Sequence, residues 1–220
     1  MLNFNSYEDL KDNCRFVFMI LISVVIYWKE KIVTYIGDFA LIYMATLYES
    51  EKELGNLMFT PELMNDLGID IRTLHRDAMI SDLNYEPVLS TTDDLIEALF
   101  LDKPLFSINL FNRKVRMRGD ELPMLTLTKG NQMNGASMIL HKSIRKKIGD
   151  IVGGNFYVLP SSIHEVMIIP EEGFEAGELS ELVSTCNSEL FTEANLKDIL
   201  SDKVQWCSMD GEILRRAENE

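Results

Sequence analysis

Between Tyr157 and Pro170 the chain reads YVLPSSIHEVMIIP. Two apolar runs, the second rich in β-branched residues, flank a compact polar knot, Ser161-Ser162-Ile163-His164-Glu165. That pattern predicts strand, tight turn, strand, with hydroxyls, an imidazole and a carboxylate gathered at the bend. No complete catalytic or cofactor motif accompanies it. The sequence thus describes an α+β protein with one suggestive polar cluster and assigns it no activity.

At 220 residues the chain suits one sizeable domain or two small ones. Acidic residues outnumber basic ones 35 to 21, a net charge of −14. From Glu165 onward there are 14 acids against 4 bases, so that third carries −10. Such a surface repels phosphate backbones, and no nucleic-acid partner is expected. The acidic excess reads first as a solvated surface and second as a face for a basic partner. Cys14, Cys186 and Cys207 are odd in number and form no CxxC pair, which predicts a reducing compartment and no disulfide framework. With His75, His141 and His164 scattered, no metal site is expected, and no cofactor motif is present.

Phe16–Trp28 is uncharged and almost wholly apolar, but its thirteen residues fall short of the roughly 20 that span a bilayer. The preceding Tyr7–Asp12 is acidic, unlike the start of a signal peptide. A buried core element is expected there, with peripheral membrane attachment as the alternative.

Ile32, Ile36, Phe39/Ala40, Tyr43 and Leu47 recur at helical spacing, which predicts an amphipathic helix over Ile32–Tyr48. Leu54–Phe59 reads as a short strand. Thr60-Pro61-Glu62 opens a helix that Gly68 closes. Asp70 caps the next, with Ile71, Leu74, His75 and Ala78 inward. A further helix starts at Thr91 or Thr92, with Leu95, Ile96, Leu99 and Phe100 on its buried side. Residues 1–100 are therefore expected to be mostly helical. Residues 101–123 hold two prolines and the basic cluster Arg113–Arg118 and read as a connector. The remainder, 124–220, is expected as strand (Met124–Thr128), helix (Ala136–Val152, with Arg145, Lys146 and Lys147 near its carboxyl end), strand, polar turn, strand, helix (Leu179–Leu190, with Leu179, Leu182, Val183 and Cys186 inward), a short helix from Thr192 to Leu200, and a closing hairpin (Val204–Leu214). The whole could also be one continuous domain.

His164-Glu165 resembles the opening of a zinc-protease HExxH, but the fifth position is Ile168 and the segment is a strand rather than a helix. Ser161, Ser162, His164 and Glu165 are the residue types of a hydrolase triad. In a regular strand His164 and Glu165 point to opposite faces, and there is no GxSxG elbow. A serine nucleophile with His164 would need the imidazole to fold back across the turn. Otherwise the serines satisfy backbone groups at the Pro160 turn, and His164 makes a buried hydrogen bond. Asn131, Asn134, Gly130 and Gly135 form a loop between strand and helix whose amides could hold an anion. Its spacing matches neither a P-loop nor a dinucleotide fingerprint, and an ordinary Asn-Gly turn explains it.

Five segments in this order are IGDFALIYMATL (Ile36–Leu47), LHRDAM (Leu74–Met79), NGASMILH (Asn134–His141), GGNFYVLPSSIHEVMIIPEE (Gly153–Glu172) and LSDKVQWCSMDGEI (Leu200–Ile213). Together they resemble an uncharacterised bacterial family, domain of unknown function fifty-six eighty-eight. The similarity spans Ile36 to Ile213 and is most specific in LPSSIHE. Members of that family usually carry a longer amino-terminal region, so Met1–Tyr35 reads as shortened or divergent. The resemblance implies a bacterial, cytoplasmic protein and brings no activity, cofactor or catalytic residue.

The sequence therefore leads to a non-enzymatic binding or interaction module with a protein partner. Its recognition edge is placed at Ser161, Ser162, His164 and Glu165 together with Asn131, Asn134 and Gly135. A serine-type hydrolase using Ser161 or Ser162 with His164, and membrane association through Phe16–Trp28, are the alternatives. Oligomeric state has no signature in the sequence.

Overall fold

The computed structural model describes residues 6–19, 32–36, 39–49, 54–113, 124–190 and 199–217. Its contacts divide the chain into two compact units, Met1–Tyr85 and Glu86–Glu220. The division falls ahead of the 101–123 connector that composition suggests. Both helices and antiparallel sheets are present, and the fold class is α+β.

In the first unit, short 3-10 helices at Tyr7–Asp9 and Lys11–Asn13 lead into strand β1 (Cys14–Met19). Strands β2 (Val33–Ile36), β3 (Phe39–Glu49) and β4 (Leu54–Met58) complete a four-stranded antiparallel sheet. β3 is its centre: β1 pairs along Ala40–Ala45, while β2 pairs along Phe39–Ile42 and β4 along Met44–Glu49. The helix predicted over Ile32–Tyr48 is therefore two strands. Phe39 to Thr46 is buried without interruption. A strand covered on both faces shows no alternation, and its apolar run happens to include helical spacings. This overturns the expectation of a mostly helical amino half. Of the Phe16–Trp28 run, residues 16–19 lie in β1 and the rest falls outside the described residues. Among the described residues no helix is long and apolar enough to cross a membrane.

Helices α1 (Pro61–Leu67) and α2 (Ile71–Asp82) follow. Thr60 Oγ1 accepts from Leu63 N at 3.2 Å, and Asp70 Oδ1 accepts from Thr73 N at 2.8 Å. Gly68, at φ 65°, ends α1 in the left-handed conformation. Leu74 and Ala78 of α2 are buried, His75 is half-buried, and Ile71 is exposed.

The second unit is built on a six-stranded antiparallel sheet ordered β10-β9-β7-β8-β6-β5. Its strands are β5 (Pro87–Thr91), β6 (Leu125–Lys129), β7 (Phe156–Ser162), β8 (Glu165–Pro170), β9 (Gln205–Cys207) and β10 (Leu214–Arg216). Helix α3 (Thr92–Phe100) follows β5, with Thr91 Oγ1 accepting from Asp94 N at 3.0 Å. Ala98 packs with Val88 and Leu105, and Leu95 lies against them. Ile96, Leu99 and Phe100, expected on the buried side, are exposed. A 3-10 helix (Gly135–Leu140) precedes α4 (Lys142–Val152), which Gly153 closes at φ 83°. Arg145, expected to serve the dipole at the end of α4, is buried instead. Its Nε donates to Gly211 O at 2.9 Å, and its Nη1 to Ile139 O at 2.9 Å and Leu140 O at 2.7 Å. Helix α5 (Ala176–Leu190) packs Leu179 and Val183 onto Tyr157, Leu159 and Ile169 of the β7–β8 hairpin. Leu182 and Cys186, expected inward, are exposed.

The outer edge of β5 is closed by one side chain. Asn109, 1% exposed, accepts from Leu89 N at 3.1 Å and donates to Pro87 O at 2.9 Å and Glu86 Oε1 at 3.1 Å. Of the Arg113–Arg118 cluster only Arg113 lies among the described residues, donating to Ser107 O at 2.6 Å. Of the short helix expected from Thr192 to Leu200, residues 192–198 fall outside them, and Ile199 forms an isolated antiparallel bridge with Ser162 instead.

Candidate functional site

β7 and β8 form a hairpin in which Ser162 pairs with Glu165 across a two-residue turn, Ile163-His164. The register shifts between Pro160 and Ser162. In a regular strand consecutive side chains face opposite ways, but this irregularity cancels the alternation. Both serines therefore reach one carboxylate oxygen. Ser161 Oγ donates to Glu165 Oε1 at 3.1 Å and Ser162 Oγ at 2.7 Å. The His164 amide closes the knot by donating to Ser162 Oγ at 3.0 Å.

The loop after β6 meets this bend directly. Gln132 and Asn134 both adopt positive φ, 58° and 51°. Asn tolerates the left-handed region better than most residues. That turn brings Asn134 N to His164 Nδ1 at 3.2 Å and Ala136 N to Ile163 O at 3.3 Å. Thr128 Oγ1 donates to His164 O at 2.9 Å. Gly135 is required by space rather than by torsion. A Cβ there would lie 2.5 Å from His164 O and 2.6 Å from both Lys129 N and Thr128 Oγ1.

The structure thus joins Asn134, Gly135, Ser161, Ser162, His164 and Glu165 in one network. Asn131 stands beside it in its own turn, its Oδ1 accepting from Met133 N at 3.2 Å, and its buried Nδ2 has no hydrogen-bond partner among the described residues. Because a backbone amide donates to His164 Nδ1, that nitrogen is an acceptor and the neutral ring carries its proton on Nε2. Among the described residues His164 Nε2 and Glu165 Oε2 have no protein partner. The bend thereby offers one donor and one charged acceptor on a braced hairpin. Neither serine hydroxyl bonds to the imidazole among the described residues. Lys129, which reads in sequence as a turn residue, is 1% exposed.

A second feature was missed by sequence reasoning. A cleft of about 760 Å³ in the first unit lies between the amino-terminal 3-10 helices and α2. Tyr7 Oη donates to Asp77 Oδ2 at 3.0 Å, and Arg76 Nε donates to Asp77 Oδ1 at 2.8 Å. These bonds, that from Arg76 foremost, hold the Asp77 carboxyl below the usual carboxylate range. Burial raises the Tyr7 phenol and pushes the adjacent Cys14 thiol up to about 12. Asp77 is therefore ionised and Tyr7 a protonated donor at neutral pH. No spacing rule links residues 7–12 to 73–84, and only tertiary packing brings them together. Among the described residues no group of three or more His, Cys, Asp or Glu is placed to hold a metal ion.

A family model described as "Family of unknown function (DUF5688)" matches residues 2–207, and the chain belongs to that family. The match takes in residues ahead of Ile36, where the segment-by-segment resemblance did not reach, and stops short of Ile213. No curated protein and no solved structure matches the chain.

Proposed function

We propose that this DUF5688 member is a non-enzymatic binding or interaction module of the bacterial cytoplasm. Its recognition edge is the Ser161–Glu165 bend with the Asn131–Gly135 loop beside it. One observation carries this reading: the polar groups of the bend satisfy one another and, among the described residues, leave His164 Nε2 and Glu165 Oε2 without a protein partner. A donor and an acceptor fixed on a braced hairpin suit a partner that presents a carbonyl and an amide, as a polypeptide does. Fixing them in advance lowers the ordering cost of association. The same bonds speak against a serine nucleophile, because both hydroxyls donate to Glu165 and Nδ1 is occupied by a backbone amide.

The test is affinity capture from native lysate with wild type and His164→Ala, alongside thermal melting of both. The expected result is a stoichiometric partner that the still-folded variant loses. A variant that keeps every partner while its melting temperature collapses makes the cluster structural and ends the assignment. Covalent labelling of Ser161 or Ser162 by a fluorophosphonate probe on folded protein replaces the reading with the hydrolase one.

A further inference from the structure

Helix α3 carries more apolar surface than its own unit uses. Ala98 and Leu95 turn toward Val88 and Leu105, while Ile96, Leu99 and Phe100 occupy the opposite face at 60%, 48% and 87% exposure. Their i, i+3, i+4 spacing makes a continuous stripe. Leu101 and Phe106, just beyond the helix, are exposed as well. Single exposed apolar residues need no explanation, but a contiguous stripe of large ones marks a surface made to be covered.

Charge selects the occupant. Asp93 shares the exposed face one turn before the stripe, and Asp102 follows the helix. Among the described residues none of their carboxylates has a basic partner. Glu97 on the same face is paired with Lys103 at 2.6 Å. A second copy related by a two-fold axis would set these acids against their own kind, in a chain of net charge −14. An anionic bilayer meets the same repulsion. Lysines or arginines flanking apolar side chains satisfy both halves of the surface.

We infer that the exposed face of α3 docks a short cationic amphipathic segment of a partner protein. The apolar side chains of that segment cover Ile96, Leu99 and Phe100, and its basic ones lie against Asp93 and Asp102. This surface is separate from the Ser161–Glu165 bend and does not depend on it.

Fluorescence anisotropy with three labelled synthetic peptides tests the inference on the full chain at low salt. One is an amphipathic leucine–lysine helix, the second its leucine–glutamate counterpart, and the third a lysine–serine peptide of equal charge. The leucine–lysine peptide is expected to bind saturably. Ile96→Ser/Phe100→Ser should weaken that binding at least about tenfold, and Asp93→Asn/Asp102→Asn should make it less sensitive to salt. The other two peptides should not bind. Because Phe100 is 87% exposed, Phe100→Ser alone serves if the double variant fails to melt cooperatively. Three results overturn the inference: binding unchanged by the apolar substitutions, equal binding of the lysine–serine peptide, or a wild-type dimer in light scattering that Phe100→Ser dissolves.

Discussion

Gly135→Ala is the smallest change that tests whether the bend and the loop form one rigid body. An added Cβ would stand 2.5 Å from His164 O and 2.6 Å from Lys129 N. Both neighbours are backbone, so neither can swing aside as a long side chain could. The third, Thr128 Oγ1 at 2.6 Å, is the donor that ties His164 O to β6. Overpacking of this kind costs about 1–3 kcal/mol, and loss of the Thr128–His164 hydrogen bond adds roughly 0.5–1.5 kcal/mol. The expected destabilisation is thus about 2–4 kcal/mol. With a slope of about 2 kcal/mol per molar urea, the unfolding midpoint should fall by about 1–2 M. Trp206 in β9 reports on this sheet, and a Trp28→Phe background isolates its fluorescence. Gly154→Ala is the internal control, because a Cβ there meets nothing within 4 Å. It should leave the midpoint unchanged or raise it slightly. Equal midpoints for the two variants would refute the packing argument, since their only designed difference is the space around the new methyl.

Other outcomes follow from single side chains. Arg145→Met should destabilise the second unit by about 3–5 kcal/mol in thermal or chemical melts, because Gly211, Ile139 and Leu140 lose a buried donor together. Arg145→Lys should recover only part of this, since an ammonium cannot reproduce the guanidinium fork. Burial lowers the pKa of His75 from 6.5, so between the folded and unfolded values the unfolded chain binds more protons. Stability of the first unit should therefore fall as pH drops from about 7 through 6.5, and His75→Gln should flatten that slope in melts down to pH 5.5. Burial pushes the Cys14 and Cys207 thiols up to about 12 and about 11, whereas Cys186 is exposed. A disulfide reagent at neutral pH should titrate Cys186 on native protein and reach the other two thiols only in denaturant.

The β7–β8 hairpin was legible because its strands are bounded by turn residues and each apolar run has strand length. The caps at Thr60 and Asp70 were legible for the same local reason: a side-chain oxygen two or three residues before an orphan amide is written in the sequence, whereas two adjacent threonines left the third open until Thr91 Oγ1 is seen to accept from Asp94 N. β3 was not. Its identity depends on β1, β2 and β4 covering both of its edges, and those partners lie up to 31 residues away in register, as with Cys14 opposite Ala45. Periodicity named the apolar positions of α3 but not which of them find a neighbour, so Ile96, Leu99 and Phe100 were placed on the wrong side. At the bend, composition identified the residues and alternation set His164 apart from Glu165, whose side chains share no hydrogen bond among the described residues. The register shift between Pro160 and Ser162 brings both serines onto Glu165, and a single irregularity of that kind leaves no trace in a residue pattern. The Tyr7–Asp77 cleft joins segments 70 residues apart, and no local signal could have paired them.

Asn109 carries a consequence for how copies of this chain behave at high concentration. An outer strand with free amides is a template for the next chain, and sheets that grow this way end as aggregates. On β5 the Leu89 amide and the Pro87 carbonyl are already answered by one carboxamide, so the strand is a dead end for templated growth.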